Sequence, residues 1–92
     1  MEIIWSNQAK ISYEKIIDFI LAQWSVEVAL TFESLTNNLL DSLKQNENLC
    51  PVSKKSRLRK CVIHRNVSLI YKVVKPNIEL VTFIDNRSEH YF

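Results

Sequence analysis

The sequence predicts an α+β fold with two layers, in which a helical hairpin packs on a small antiparallel sheet in the order βααβββ. Apolar residues recur at helical spacing between residues 9 and 43, and they alternate with a period of two in the last third of the chain. The total of 92 residues suffices for a single hydrophobic core. We therefore expect one domain over residues 1–92.

The first part of the chain predicts a strand followed by a helix. Residues Glu2 to Trp5 form a short apolar segment, and Ser6 or Asn7 can cap the helix that follows it. One face of this helix carries its apolar residues, namely Ala9, Tyr13, Ile16, Ile17, Ile20 and Trp24. Trp5 and Trp24 are accordingly both expected in the core.

A second helix is predicted from about Val26 to Gln45, with Ser25 as its cap. One face carries Ala29, Phe32, Thr36, Leu39 and Leu43, and the residues partly off that face are Val28, Leu35 and Leu40. These additional apolar residues suit two interpretations, a wider contact within one core or a groove for a partner.

The second half of the chain predicts a long loop and three strands. Residues 46–56 contain Asn, Pro and Ser without an apolar period, which is typical of a loop. The strands are expected at Arg57 to His64, Val67 to Val74 and Ile78 to Asp85. Because the segments between them are short enough for hairpin turns, these strands should form an antiparallel meander.

Charge divides the chain into an acidic and a basic half. Residues 1–50 carry three lysines against seven acids, whereas residues 51–92 carry nine Lys or Arg against three acids. Six of the nine lie between Lys54 and Arg65, a stretch without an acid. This asymmetry predicts a positive surface for an anionic partner.

Cysteine usage and hydropathy favour a cytoplasmic protein without a membrane segment. The start of the chain does not resemble a signal peptide, and its longest apolar run is too short to span a bilayer. Cys50 and Cys61 are not in a close-spaced metal motif, so we expect two free, buried thiols. We expect neither a metal nor a small-molecule cofactor.

The residues, in their order, resemble the RelE/ParE superfamily of toxins from bacterial type II toxin–antitoxin systems. The resemblance extends over nearly the whole chain, through Trp5-Ser6, Tyr13 to Ile20, Trp24-Ser25, Leu58-Arg59-Lys60, Leu69 to Val73 and Asp85-Asn86-Arg87. It implies a small growth inhibitor that a cognate antitoxin protein keeps silent.

The superfamily implies two different modes of action. One branch cuts messenger RNA on the ribosome as a metal-independent endoribonuclease, and the ParE-like branch poisons DNA gyrase. The RNA-cutting branch typically holds cations at the positions of Cys61 and Ser68. The absence of cations at these two positions favours the ParE-like mode. Two alternatives remain open: an endoribonuclease, and an inactive member that binds its antitoxin. Whether the protein is an enzyme therefore remains open as well.

The candidate residues for binding a target or nucleic acid are all basic: Lys54, Lys55, Arg57, Arg59, Lys60, Arg65 and Arg87. Those in the predicted strand are consistent with a row of cations that binds phosphates. They are equally consistent with basic residues that protect an exposed strand edge against aggregation. Lys54 and Lys55 suit solvated surface, and Arg87 suits a local ion pair with Asp85.

Catalytic candidates come only from the RNA-cutting branch. Metal-free cleavage requires a base for the ribose hydroxyl, a cation beside the phosphate and an acid for the leaving oxygen. Arg87, His90 and Tyr91 match that branch in residue type, but His90 and Tyr91 also suit a frayed end of the chain.

Overall fold

The computed structural model describes residues 1–64 and 66–86. The described residues form six elements in the predicted order βααβββ, which are β1 (Glu2–Trp5), α1 (Asn7–Gln23), α2 (Val26–Gln45), β2 (Arg59–His64), β3 (Val67–Val74) and β4 (Asn77–Asp85). The predicted two-layer α+β class is confirmed, since both helices pack on one sheet.

Two serines begin the helices, as the sequence predicts. The Ser6 Oγ accepts a 3.0 Å hydrogen bond from the Ala9 amide, and the Ser25 Oγ accepts one of 3.1 Å from the Val28 amide. The Ser6 hydroxyl also donates to the carbonyl of Val81, at 2.9 Å. The first turn of α1 is therefore fixed directly to β4.

The sheet has the strand order β1-β4-β3-β2. The last three strands form the predicted antiparallel meander, whereas β1 runs parallel to β4, with Ile3 opposite Ile78. The sheet is therefore mixed. The helical hairpin carries the chain from β1 at one edge of the sheet to β2 at the other, so the long loop and β2 lie far from β1 in the strand order.

The core lies between the helical hairpin and one face of the sheet. Its central residues have no exposed surface, and they are Ala9, Leu43, Leu69, Tyr71, Ile78 and Leu80. Trp5 packs against this core as predicted, with its ring stacked on Phe83 at 5.5 Å between centroids. Phe32 is also buried, so α2 faces the core through this residue.

Trp24 departs from the prediction, because 70% of its surface is exposed. Helix α1 ends at Gln23, and Trp24 takes a non-helical backbone conformation with φ −128° and ψ −103°. The apolar stripe of α1 therefore stops at Ile20. Trp24 lies instead at the turn of the hairpin.

None of the helices in residues 1–64 and 66–86 is long and apolar enough to cross a membrane.

Candidate target-binding surface

The long loop is closed by a disulfide bond between Cys50 and Cys61. The prediction of two free thiols is therefore wrong. Cys50 lies at the start of the loop and Cys61 in β2, 11 residues later, and their Cα atoms are 5.3 Å apart. The spacing in sequence could not show this contact, because it depends on the path that the loop takes.

The loop approaches Cys61 because it folds back along β2. Val52 forms an isolated antiparallel bridge with Arg59, and the amide of Ser53 donates to the carbonyl of Leu58 at 2.8 Å. The amide of Lys60 donates to the Pro51 carbonyl at 3.2 Å. The start of β2 is thus paired with the chain's own loop on its outer side, which satisfies this part of the sheet edge.

The hydroxyl of Tyr71 fixes the beginning of the loop from the core side. It donates to the carbonyl of Glu47 at 2.8 Å and accepts a 3.4 Å hydrogen bond from the Cys50 amide. Burial raises the pKa of Tyr71, and the positive charge of Arg59 opposes part of that rise. The phenol therefore stays protonated at neutral pH and can donate to the loop.

Arg59 binds the same loop through its side chain. Its Nη1 donates a 2.7 Å hydrogen bond to the Cys50 carbonyl, so the guanidinium is engaged in a contact within the protein. The predicted roles of this residue, in a phosphate-binding row or as a protective charge at the sheet edge, stay predictions. Its observed role is to hold the loop on β2.

The predicted basic residues do not form one row. Lys54, Lys55 and Arg57 are exposed on the loop, and we call these three residues the basic loop. Arg59 and Lys60 are half-buried, and as neighbours in β2 they point to opposite faces of the sheet. Three of the candidates thus share the exposed part of one loop.

The remaining candidates are not placed by the structure. Arg65 and Arg87, which belong to the predicted binding set, lie outside the described residues, as do His90 and Tyr91. Their roles remain predictions from the sequence.

The two positions at which the RNA-cutting branch typically has cations are occupied by buried, uncharged side chains. Cys61 is 2% exposed and lies in the disulfide, and Ser68 is fully buried. The Ser68 hydroxyl donates to the Asn86 Oδ1 at 2.9 Å. Neither side chain can neutralise a phosphate.

An apolar groove lies between the helical hairpin and the end of the sheet, and it encloses about 630 Å³. We call it the hairpin groove; its most exposed apolar lining residues are Phe19, Trp24, Val28 and Leu35. Phe32 lies at its buried base. Of the extra apolar residues on α2, Leu40 is buried in the core, whereas Val28 and Leu35 line the groove; that the groove receives a partner stays a prediction.

The described part of the chain has no group of three or more His, Cys, Asp or Glu side chains that could hold a metal ion.

The sequence of the chain matches a class of toxins found in type II toxin–antitoxin systems. The family described as "ParE toxin of type II toxin-antitoxin system, parDE" matches residues 3–91. The chain belongs to this family, within the RelE/ParE superfamily. A comparison with curated protein sequences found no match.

Solved structures with the same fold include ParDE, YoeB and YafQ proteins. The chromosomal ParDE toxin–antitoxin system from P. aeruginosa has a TM-score of 0.77 at 19% identity, covering 92% of this chain and 95% of that chain. The heterotetrameric YoeB–YefM toxin–antitoxin complex from Staphylococcus aureus has a TM-score of 0.62 at 19% identity, with coverages of 99% and 98%. YafQ from E. coli has a TM-score of 0.62 at 14% identity, with coverages of 94% and 93%. At these identities the likeness concerns the fold alone.

Proposed function

We propose that this chain is a toxin that arrests growth by binding its target, in the manner of the ParE-like branch, with DNA gyrase as the target. The observation that carries the proposal is the state of Cys61 and Ser68, both buried and uncharged. An RNA-cleaving site must neutralise charge that develops on the phosphate, and these positions contribute none. Arg59, a cation in β2, donates a hydrogen bond to the Cys50 carbonyl.

The basic loop is the proposed contact with the target. Lys54, Lys55 and Arg57 are exposed and stand together on a loop that is fixed at both ends, by Tyr71 and by the disulfide. A fixed cluster of cations loses little conformational entropy when it binds an anionic surface. Arg65 and Arg87 extend this set in the proposal, as the sequence predicts.

The physiological partner is proposed to be a cognate antitoxin with an amphipathic, acidic segment. Its apolar side chains would fill the hairpin groove, where Trp24, Val28 and Leu35 are exposed. The YoeB–YefM complex from Staphylococcus aureus shows that a protein of this fold assembles with an antitoxin. The acidic residues of the segment would meet the basic half of this chain.

The second candidate is a ribosome-dependent endoribonuclease. It is favoured by the presence of Arg87, His90 and Tyr91 near the end of the chain, which match the residue types of the RNA-cutting branch. In that case Arg87 would stabilise the phosphate, while His90 and Tyr91 would serve as acid and base.

A paired assay separates the two functions. The purified protein is added to gyrase, with supercoiling as the readout, and to ribosomes translating a defined message, with primer extension as the readout. We expect loss of supercoiling and intact messages. Unaffected gyrase together with new message ends that disappear in Arg87→Ala would reject the ParE-like proposal and establish the endoribonuclease.

Growth tests decide whether the protein is toxic at all. Expression without the antitoxin should arrest growth, and co-expression of the protein encoded by the adjacent gene should restore it. Normal growth at full expression of folded protein would leave the third interpretation, an inactive member that binds its antitoxin only. A variant with Lys54→Gln, Lys55→Gln and Arg57→Gln should fold normally and lose toxicity.

A further inference from the structure

The Cys50–Cys61 disulfide closes a ring that contains the whole basic loop. Cys50 lies in the first part of the long loop and Cys61 in β2, and Lys54, Lys55 and Arg57 lie between them in sequence. The positions of the three cations relative to β2 therefore depend on a covalent bond that thiols can break.

We propose that this disulfide is a reversible thiol–disulfide exchange site, at which a dithiol reductant opens the ring and releases the basic loop from β2. The arrangement of the cations would then depend on the redox state of the surrounding thiols. The proposal holds whether the target is gyrase, the ribosome or neither, because it concerns the loop itself.

The two cysteines differ in exposure, which gives the exchange a direction. Cys61 is only 2% exposed, whereas Cys50 is half-buried at the surface of the loop. An incoming thiolate can therefore reach the Sγ of Cys50 more easily than that of Cys61. Arg59 Nη1 lies 2.7 Å from the Cys50 carbonyl oxygen, so a positive charge stands beside the attacked residue and favours thiolates there.

The exchange consists of two balanced steps. One thiolate of the dithiol forms a bond to the Sγ of Cys50, the Cys50–Cys61 bond breaks, and Cys61 leaves as a thiolate that takes up a proton. The second thiolate of the reductant then attacks the other sulfur of the reductant, the one bonded to Cys50 in the mixed disulfide. Cys50 leaves as a thiolate and is protonated. The protein gains two electrons and two protons, and the dithiol becomes a cyclic disulfide; the reverse reaction closes the ring.

The remaining contacts predict that ring opening is local. The hydroxyl of Tyr71 still holds Glu47 and the Cys50 amide, so the beginning of the loop stays in place. The segment after it keeps the hydrogen bond from the Ser53 amide to the Leu58 carbonyl and two short-range ones to serine hydroxyls, from the Lys55 amide to Ser53 and from the Leu58 amide to Ser56. Ser53 is buried, whereas Lys54, Lys55 and Arg57 are exposed. Exposed segments with few buried contacts open most easily, and the basic loop is therefore the part that is released.

The test uses the full-length protein and dithiothreitol as the reductant. Folded protein is incubated with mixtures of reduced and oxidised dithiothreitol, and a maleimide is then added to label free thiols. Mass spectrometry measures the mass of the product. The chain has two cysteines, so a gain of two adducts reports ring opening directly. Circular dichroism in parallel shows whether the fold persists, and brief trypsin treatment measures the exposure of the loop.

We expect two adducts while the dichroism stays unchanged, and an increase of about tenfold in cleavage after Lys54, Lys55 and Arg57. Cleavage after Lys10 and Lys15 in α1 serves as the internal control and should not change. Return to oxidised dithiothreitol should close the ring and restore protection. The double variant Cys50→Ser and Cys61→Ser should show the high cleavage rate without reductant.

Three outcomes would overturn the proposal. Adducts that form only in denaturant would make the bond a permanent structural link. Adducts without increased loop cleavage would mean that the ring does not control the loop. Loss of the dichroism signal on reduction would mean that the bond supports the whole fold, in which case cleavage in α1 would rise together with cleavage in the loop.

Discussion

The guanidinium of Arg59 donates a 2.7 Å hydrogen bond to the carbonyl of Cys50, nine residues earlier in the chain. A residue that the sequence predicts to bind a target thus also holds the long loop in place. Arg57, two residues before it, is exposed. Comparing variants of Arg59 and Arg57 therefore separates the structural contribution of a positive charge from its proposed contribution to binding.

We predict that Arg59→Gln lowers the free energy of unfolding by about 1–2 kcal/mol, because a hydrogen bond from a charged donor to the Cys50 carbonyl is lost. Arg57→Gln should change it by less than about 0.5 kcal/mol, as expected of an exposed residue. Urea unfolding followed by circular dichroism measures both values. Equal stability of the two variants would contradict the assigned role of Arg59.

The hydroxyl of Tyr71 offers a second test of how the loop is held. Tyr71→Phe removes the hydrogen bond to the Glu47 carbonyl and leaves the core packing intact, so we expect a loss of about 1–2 kcal/mol at neutral pH. Urea unfolding at about pH 7 gives this difference from the wild type. A variant as stable as the wild type would show that the hydrogen bond does not contribute.

The same residue has a predictable pH dependence. Burial raises the pKa of Tyr71 above the ordinary value of 10.0, so above that pH the unfolded chain loses the phenolic proton while the folded protein keeps it. The stabilisation is therefore complete below pH 10.0 and is lost as the pH rises through the pKa of the folded state. The advantage of the wild type over Tyr71→Phe should shrink at about pH 10.5.

The pKa of Tyr13 is also raised, mainly by burial and further by the charge of Glu33. Its contribution is common to the wild type and to Tyr71→Phe, so the difference between the two proteins isolates Tyr71. An advantage that stays constant or grows with alkaline pH would contradict the direction of the shift.

The hairpin groove gives a prediction about the antitoxin. Trp24 lines the groove with 70% of its surface exposed, and exposed tryptophans that become buried often dominate a protein interface. Trp24→Ser should weaken antitoxin binding by at least about tenfold, with little change in stability. Leu30→Ser is the matched control. Leu30 lies on α2 and is exposed like Trp24, but it does not line the groove.

Isothermal titration with the purified antitoxin measures both affinities, and thermal unfolding verifies that both variants fold. Phe32→Asp cannot replace Trp24→Ser in this test, because Phe32 is 4% exposed and a buried charge would unfold the protein. Equal losses of affinity in Trp24→Ser and Leu30→Ser would place the antitoxin elsewhere on the helical hairpin.

Most of the fold followed from the sequence because its signals are local. Ser6 and Ser25 are good caps next to regular apolar patterns, and both begin helices as predicted. The alternation in Val67 to Val74 gives a strand with the predicted bounds. The pattern failed at Trp24, because periodicity cannot show that a helix has ended one residue earlier.

The site was less predictable because it depends on contacts between distant residues. The basic loop was found from composition, but the disulfide was missed, since only the path of the loop brings Cys50 and Cys61 together. The structural role of Arg59 was missed for the same reason: its acceptor is a backbone atom, which leaves no mark in the side-chain pattern.

Ser12 is a residue whose role the pattern could have indicated, because it interrupts the apolar stripe of α1 and yet is buried. Its Oγ accepts a 2.9 Å hydrogen bond from the Phe83 amide and one of 3.3 Å from the Thr82 hydroxyl, and it donates to the Ala9 carbonyl. One serine thus satisfies a backbone donor of β4 from within α1. A buried polar residue on an apolar face is best read as a residue with specific partners.

Ser12→Ala should therefore cost about 1–3 kcal/mol, since the buried Phe83 amide loses its acceptor and no water can easily replace it. Ser42→Ala is the matched control, because Ser42 in α2 is exposed and donates only to the Asn38 carbonyl. It should change the stability by less than about 0.5 kcal/mol. Thermal unfolding of both variants makes the comparison, and a similar melting temperature for the two would mean that the hydrogen bonds of Ser12 do not contribute to holding α1 on β4.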